Sequence, residues 1–247
     1  MLVMELFATC SIVLAAAPLA VFGISAADLP VDPLRLALAL GPVVTYLLVI
    51  AWLNLGRRPQ LLTGARDTTA LCIALSGMAL VGPIELFFPM NAAANFGSYA
   101  TWALCLALYA LACSFVVFSE RPRLVVYNAT AGLVREVLVG LTNQLDEHAQ
   151  WAGHTLLLPT LGVELHLGTS PGMRCITLTA ANERQSLAGW RRLEAALRAA
   201  LAEIEVDRNP LGLSLAVISL LVGLALLLLL ANNGEAVART LREMMLL

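Results

Sequence analysis

The chain has 247 residues, 60% of them hydrophobic and 13% charged, with a formal net charge of −2. A soluble domain is about one quarter charged, so much of this chain belongs in lipid. The near-balance of charge excludes the positive field that gathers nucleic acid. Its fifteen basic residues are all Arg, a usage we read as the coding bias of a GC-rich bacterium.

Five apolar runs punctuate the sequence, each close to the roughly 20 residues that a bilayer core of about 30 Å demands of a helix. The first, Leu2–Ile24, contains Pro18 and has Glu5 where a secretory signal would carry Lys or Arg. It is therefore expected to be a membrane helix and not a leader. The next three spans read Leu34–Leu55, Thr69–Met90 and Ser98–Phe118, and the last is Leu211–Ala231. Arg57, Arg58 and Arg66 lie between the second and third spans, and Arg121 and Arg123 follow the fourth. Asp28 and Asp32, or the uncharged Asn91–Gly97, occupy the opposite loops, with Arg35 as the one dissenting charge. The positive-inside rule then places the N-terminus and the polar insert in the cytoplasm of a bacterial inner membrane and the C-terminus outside.

The insert, residues 120–208, changes texture. Leu124–Tyr127 is rich in β-formers and is followed by Asn128 and Thr130, both N-cap types. Leu133, Val134, Val137, Leu138, Leu141 and Leu145 then recur at helical spacing, predicting a helix that ends near His148–Trp151. Strands are expected over His154–Leu158, Val163–Leu167 and Arg174–Thr179, with Ser170-Pro171-Gly172 as a type II turn. Asn182 and Gln185 suit a capping box for a long helix carrying Leu187, Trp190, Leu193, Leu197, Leu201 and Ile204 on one stripe. Asn209-Pro210 ends it.

The expected architecture is a membrane all-α bundle of five transmembrane helices with an inserted small α+β domain. Its order is βαβββα, an antiparallel meander with two helices on one face. By residue, 1–119 is a four-helix transmembrane region, 120–208 a cytoplasmic α+β domain, 209–231 the fifth span and 232–247 an amphipathic tail. The tail sets Val237, Leu241, Met244 and Met245 against Arg239, Arg242 and Glu243, suiting a bilayer surface or a protein neighbour.

Candidate chemistry is sparse. Glu85, between Pro83 and Pro89 in an apolar span, is an ionisable group at membrane depth and so a candidate for function or partner contact. Ala103, Ala107, Ala110 and Ser114 form a small-residue stripe that permits close helix approach. Arg191, Arg192 and Arg198, with Arg239 and Arg242 in the tail, are candidates for lipid headgroups or an acidic partner, although Glu183, Glu194, Glu203 and Glu205 interleave with the first group. His154 and His166 come close across a hairpin centred near residue 160, but a metal needs further ligands, and no metal site is expected. Five cysteines at 10, 72, 105, 113 and 175 have no CxxC spacing. No Walker loop, GxSxG, HExxH or DxD carboxylate pair is present, so no catalytic residue and no cofactor follows from the sequence. The expected function is a non-catalytic accessory or scaffold subunit of a larger membrane complex, whose partners are other membrane subunits and the lipid bilayer. The alternatives are a membrane-anchored sensor or regulator that binds a ligand or headgroup and a transporter component using Glu85.

Overall fold

The computed structural model describes residues 32–86, 88–170, 174–182 and 185–246. The apolar run Leu2–Ile24 and the Pro171-Gly172 turn lie outside the described residues. Four helices are long and apolar enough to cross a membrane: α1 (Pro33–Leu55), α2 (Gly64–Ala79, continued by a π-helical turn, Leu80–Ile84), α4 (Ser98–Ser119) and α7 (Pro210–Asn232). A short helix, α3 (Met90–Phe96), fills the stretch expected to be a loop. The second of these four helices starts five residues before the expected Thr69, because Arg66 and Asp67 are built into its first turns and are not linker. Asp67 suits that place, since a carboxylate near a helix N-terminus opposes the exposed N–H dipoles.

The described residues also form a six-stranded antiparallel sheet. Its strands are β1 (Gln60–Thr63), β2 (Arg123–Tyr127), β3 (Gln150–Ala152), β4 (Thr155–Leu158), β5 (Val163–Ser170) and β6 (Cys175–Ala180), in spatial order β1-β2-β6-β5-β4-β3. Helix α5 (Ala131–Leu145) follows β2, and α6 (Leu187–Ala202) follows β6. The expected βαβββα order therefore gains two strands. One, β3, takes residues expected at the end of α5. The other, β1, comes from the link between α1 and α2 and pairs with β2 from Gln60↔Tyr127 to Thr63↔Leu124.

Alternation along the strands places the core on one face. Leu124, Val126, Leu156, Leu158, Val163, Leu165, Leu167, Ile176 and Leu178 meet Val134 and Leu138 of α5 and Trp190, Leu193, Leu197 and Leu201 of α6. Leu187, expected on the α6 stripe, is 66% exposed because it stands in the first turn, beyond the sheet. Thr130 caps α5 through its side chain, and Ser186 caps α6 by accepting from the Gly189 N–H. The expected Asn182–Gln185 box is not the cap. Gln185 instead donates to the Glu164 carbonyl and accepts from Trp190 Nε1, which anchors the buried indole.

Helix α5 stops at Leu145, before the expected His148–Trp151, because Asp146 turns its backbone into extended geometry there. Buried at 4% exposure, the Asp146 carboxylate accepts from the His148 N–H at 3.0 Å, the Thr160 N–H at 2.8 Å and the Thr160 hydroxyl at 2.8 Å. Burial opposes the charged form, but these hydrogen bonds outweigh it and hold the carboxyl below its usual 3.8. A depressed folded value makes this contribution complete above the unfolded value and lost as the pH falls through the folded one. The melting temperature should therefore fall below about pH 4, and Asp146→Asn should be less stable at pH 7 with a flatter acid limb. A variant matching the parent at pH 7 would remove Asp146 from this role.

Gly140, inside α5, has nothing within 4 Å of where a Cβ would stand. Gly140→Ala should stabilise the domain by about 0.5–1 kcal/mol by restricting the unfolded chain, read as a raised melting temperature.

The described residues divide into two compact units, one from within 32–48, 71–113 and 217–246 and the other from within 49–70 and 114–216. In the first, Gly77 of α2 sits over the Leu38 carbonyl of α1, where a Cβ would stand 1.9 Å from that oxygen. Pro42, four residues on, has no N–H to offer Leu38, so the only residue without a side chain can approach the bare carbonyl. In the same unit Val44 packs with Val222 and Leu226. The second unit contains the sheet domain and the span ends 49–55, 64–70, 114–119 and 210–216.

Candidate functional site

Glu85 follows directly on the π-helical turn that contains Pro83. Such a turn re-aims the side chains beyond it. The Glu85 carboxylate, 12% exposed, lies 2.5 Å from Arg35 Nη2, and Arg35 Nη1 reaches Asp32 at 2.9 Å. Arg35, the charge that dissented from the positive-inside pattern, is thus the counter-ion of Glu85. This pairing lowers the cost of keeping a carboxylate that is 12% exposed away from water. The arrangement can hold α1 and α2 in register. A cargo cation would first have to displace the guanidinium.

Helix α4 has two faces. Thr101 is buried, Trp102 Nε1 donates to the Met244 carbonyl of α8 (Gly234–Leu246), and Tyr109 OH donates to the Cys72 carbonyl of α2. Trp102 also stacks on Phe88 with ring centroids 4.6 Å apart. The other face carries Ala103, Ala107, Ala110 and Ser114, all four exposed, beside Leu104, Leu108, Leu111 and Phe115.

The remaining candidates lie apart from one another. Arg191, Arg192 and Arg198 are exposed on α6, with Arg198 paired to Glu194 at 2.7 Å. Arg239 and Arg242 are exposed on α8, whose inward side carries Thr240 and Met244, while Leu241 is 49% exposed. Thr240 and Met244, one i, i+4 step apart, share the buried side, and Leu241 lies at its exposed edge. His166 pairs in register with Thr155, and its ring meets His154 edge-on at 6.5 Å. Among the described residues, no three of His, Cys, Asp and Glu come together as a metal site. The Cys175 thiol is pushed up to about 12, by burial first and then by the nearby Asp67 carboxylate, so at neutral pH it is not a nucleophile.

A polar knot absent from the sequence-based candidates joins the sheet to the span ends. Arg123 of β2 reaches Asp67 at 3.3 Å, Glu120 at 3.4 Å and the Thr68 hydroxyl at 2.8 Å. Tyr127 OH donates to Asp67 at 2.6 Å, and the Thr68 hydroxyl donates to Glu120 at 2.7 Å. Gly64 makes the approach possible, since a Cβ there would fall 2.1 Å from Arg123 Cγ. A second knot joins Asn54 of α1 to Asn209, the residue before α7, with Asn128 Nδ2 donating to the Gly56 carbonyl beside it. Asn128 holds a left-handed φ of 57°, which Asn tolerates better than most residues. The sequence signal was available but weak: Asp67, Glu120 and Arg123 all flank span ends, where charges are ordinary.

In comparison with known proteins, the chain matches no family model, no curated protein and no solved structure.

Proposed function

We propose that this protein is a non-catalytic scaffold subunit of a larger membrane assembly. In this reading it presents α4 to a transmembrane helix of another subunit and holds its sheet domain over that subunit's cytoplasmic face. The observation that carries the reading is the exposure of Ala103, Ala107, Ala110 and Ser114 along one stripe of α4. Helix association in lipid has no hydrophobic drive between spans and depends on close backbone approach, for which small side chains are needed. A helix facing only lipid has no use for such a stripe, and the large side chains around it supply the lipid contact. Two further features suit a scaffold: Glu85 is engaged by Arg35, and the sheet domain is tied to the span ends by the Arg123 and Asn54–Asn209 knots.

The test is Ala107→Leu with Ala110→Leu in the tagged native protein, run on blue-native gels of mildly solubilised membranes. The parent should migrate in a discrete particle well above 26 kDa. The variant should drop to the mass of the free chain at unchanged abundance. Equal migration of the two would remove the stripe as the docking surface.

A further inference from the structure

The span ends in the second unit carry an arginine belt. Arg57 and Arg58 follow α1, Arg66 lies in the first turn of α2, Arg121 follows α4, and Arg208 precedes α7. All five side chains are exposed. The acidic groups at the same level are partly drawn away from them: Asp67 and Glu120 are bound by Arg123, leaving Glu205 and Asp207 exposed. Arg57, Arg58, Arg66 and Arg208 belong to none of the ion pairs among the described residues.

Three of these arginines share one corner. The Val206 N–H donates to the Arg57 carbonyl at 2.8 Å and the Asn209 N–H to the Asn54 carbonyl at 3.4 Å. Segments 54–57 and 206–209 therefore run side by side in opposite directions, which sets Arg208 beside the stretch leading to Arg57 and Arg58. Arg174 joins them, its guanidinium donating to the Asp207 carbonyl at 3.2 Å. A guanidinium is a planar fork that binds phosphate oxygens in pairs. Several such forks, two or three residues beyond the ends of membrane-length helices, suit lipid headgroups.

We infer that the corner formed by Arg57, Arg58 and Arg208 binds the phosphate of an anionic phospholipid. This rests on the membrane reading of the four helices and is independent of the scaffold role. The test uses the full-length protein in detergent micelles doped with phosphatidylglycerol or with phosphatidylcholine, read by melting temperature and by lipids retained in native mass spectrometry. The parent should be raised in melting temperature by phosphatidylglycerol and retain it. The triple variant Arg57→Gln, Arg58→Gln, Arg208→Gln should bind it at least about tenfold more weakly, while melting like the parent in phosphatidylcholine. The corresponding Lys variant should recover only part of the binding, since an ammonium keeps the charge and lacks the fork, and Arg191→Gln with Arg192→Gln should leave it unchanged. Equal effects of the two lipids on the parent, or full binding by the Gln variant, would overturn the inference. So would an equal shift from inorganic phosphate, which would make the ligand a soluble anion. If the Gln variant melts low even in phosphatidylcholine, the decision passes to the single variants Arg58→Gln and Arg208→Gln, and binding like the parent's in both overturns the inference.

Discussion

Arg35→Leu should destabilise the protein in detergent or lipid by about 2 kcal/mol, more than Glu85→Gln, and the double change Arg35→Leu with Glu85→Leu should recover most of the loss. The asymmetry follows from what each change leaves behind. Glu85→Gln keeps an oxygen for Arg35 to bond, and Arg35 retains Asp32 at 2.9 Å. Arg35→Leu leaves a carboxylate that is 12% exposed without its counter-ion, and a buried charge without a partner is the costly species. Removing one partner of a fully buried pair costs about 3–5 kcal/mol; the 31% exposure of Arg35 brings the expectation down. Unfolding in a denaturing detergent series gives the order. A Glu85→Gln variant less stable than Arg35→Leu would show that the carboxylate matters beyond the pair.

Gly189→Val should cost the sheet domain about 3 kcal/mol or more and leave α6 detached from the sheet. At Gly189 a Cβ would stand 2.1 Å from the Leu161 carbonyl oxygen and 2.8 Å from Val163 Cγ2. The first neighbour is backbone and cannot rotate away. The helix must lift, and Trp190, Leu193 and Leu197, all buried against the strands, lift with it. Amide hydrogen exchange of β4, β5 and α6 should rise together in this variant, with the exchange of α4 unchanged. Protection like the parent's throughout α6 would contradict the account of its docking.

Hydropathy made three of the four described spans legible to within one residue at each end, because length and absence of charge are all a membrane requires of a helix, while the expected Thr69–Met90 runs from Gly64 to Ile84. Where the boundary was missed, at Gly64 instead of Thr69, the polar Arg66 and Asp67 looked like linker. They are helical because Asp67 has Arg123 and Tyr127 to bind, residues more than fifty positions away. Strand β1 is four residues with no alternation, flanked by Pro59 and Gly64. Nothing local marks it, and only pairing with β2 makes it a strand. Strand β3 was hidden for a related reason: the helical period of α5 runs on toward Trp151, and the Asp146 bonds to Thr160 that end it are made across a loop. Glu85 and Arg35 were each conspicuous singly, one as a charge in a span and the other as an exception to the arginine pattern. Their pairing depends on how α1 and α2 pack, with Gly77 over Leu38, and no periodicity carries that information.

The central claim is that the chain works as one subunit among others. Its most direct test is purification of the tagged protein, expressed at native level, in mild detergent, followed by native mass measurement and identification of the co-eluting chains. The scaffold account predicts a particle of defined mass that contains other membrane proteins in fixed ratio to this chain. Elution as a lone chain or as copies of itself alone, with the melting temperature intact, would contradict it.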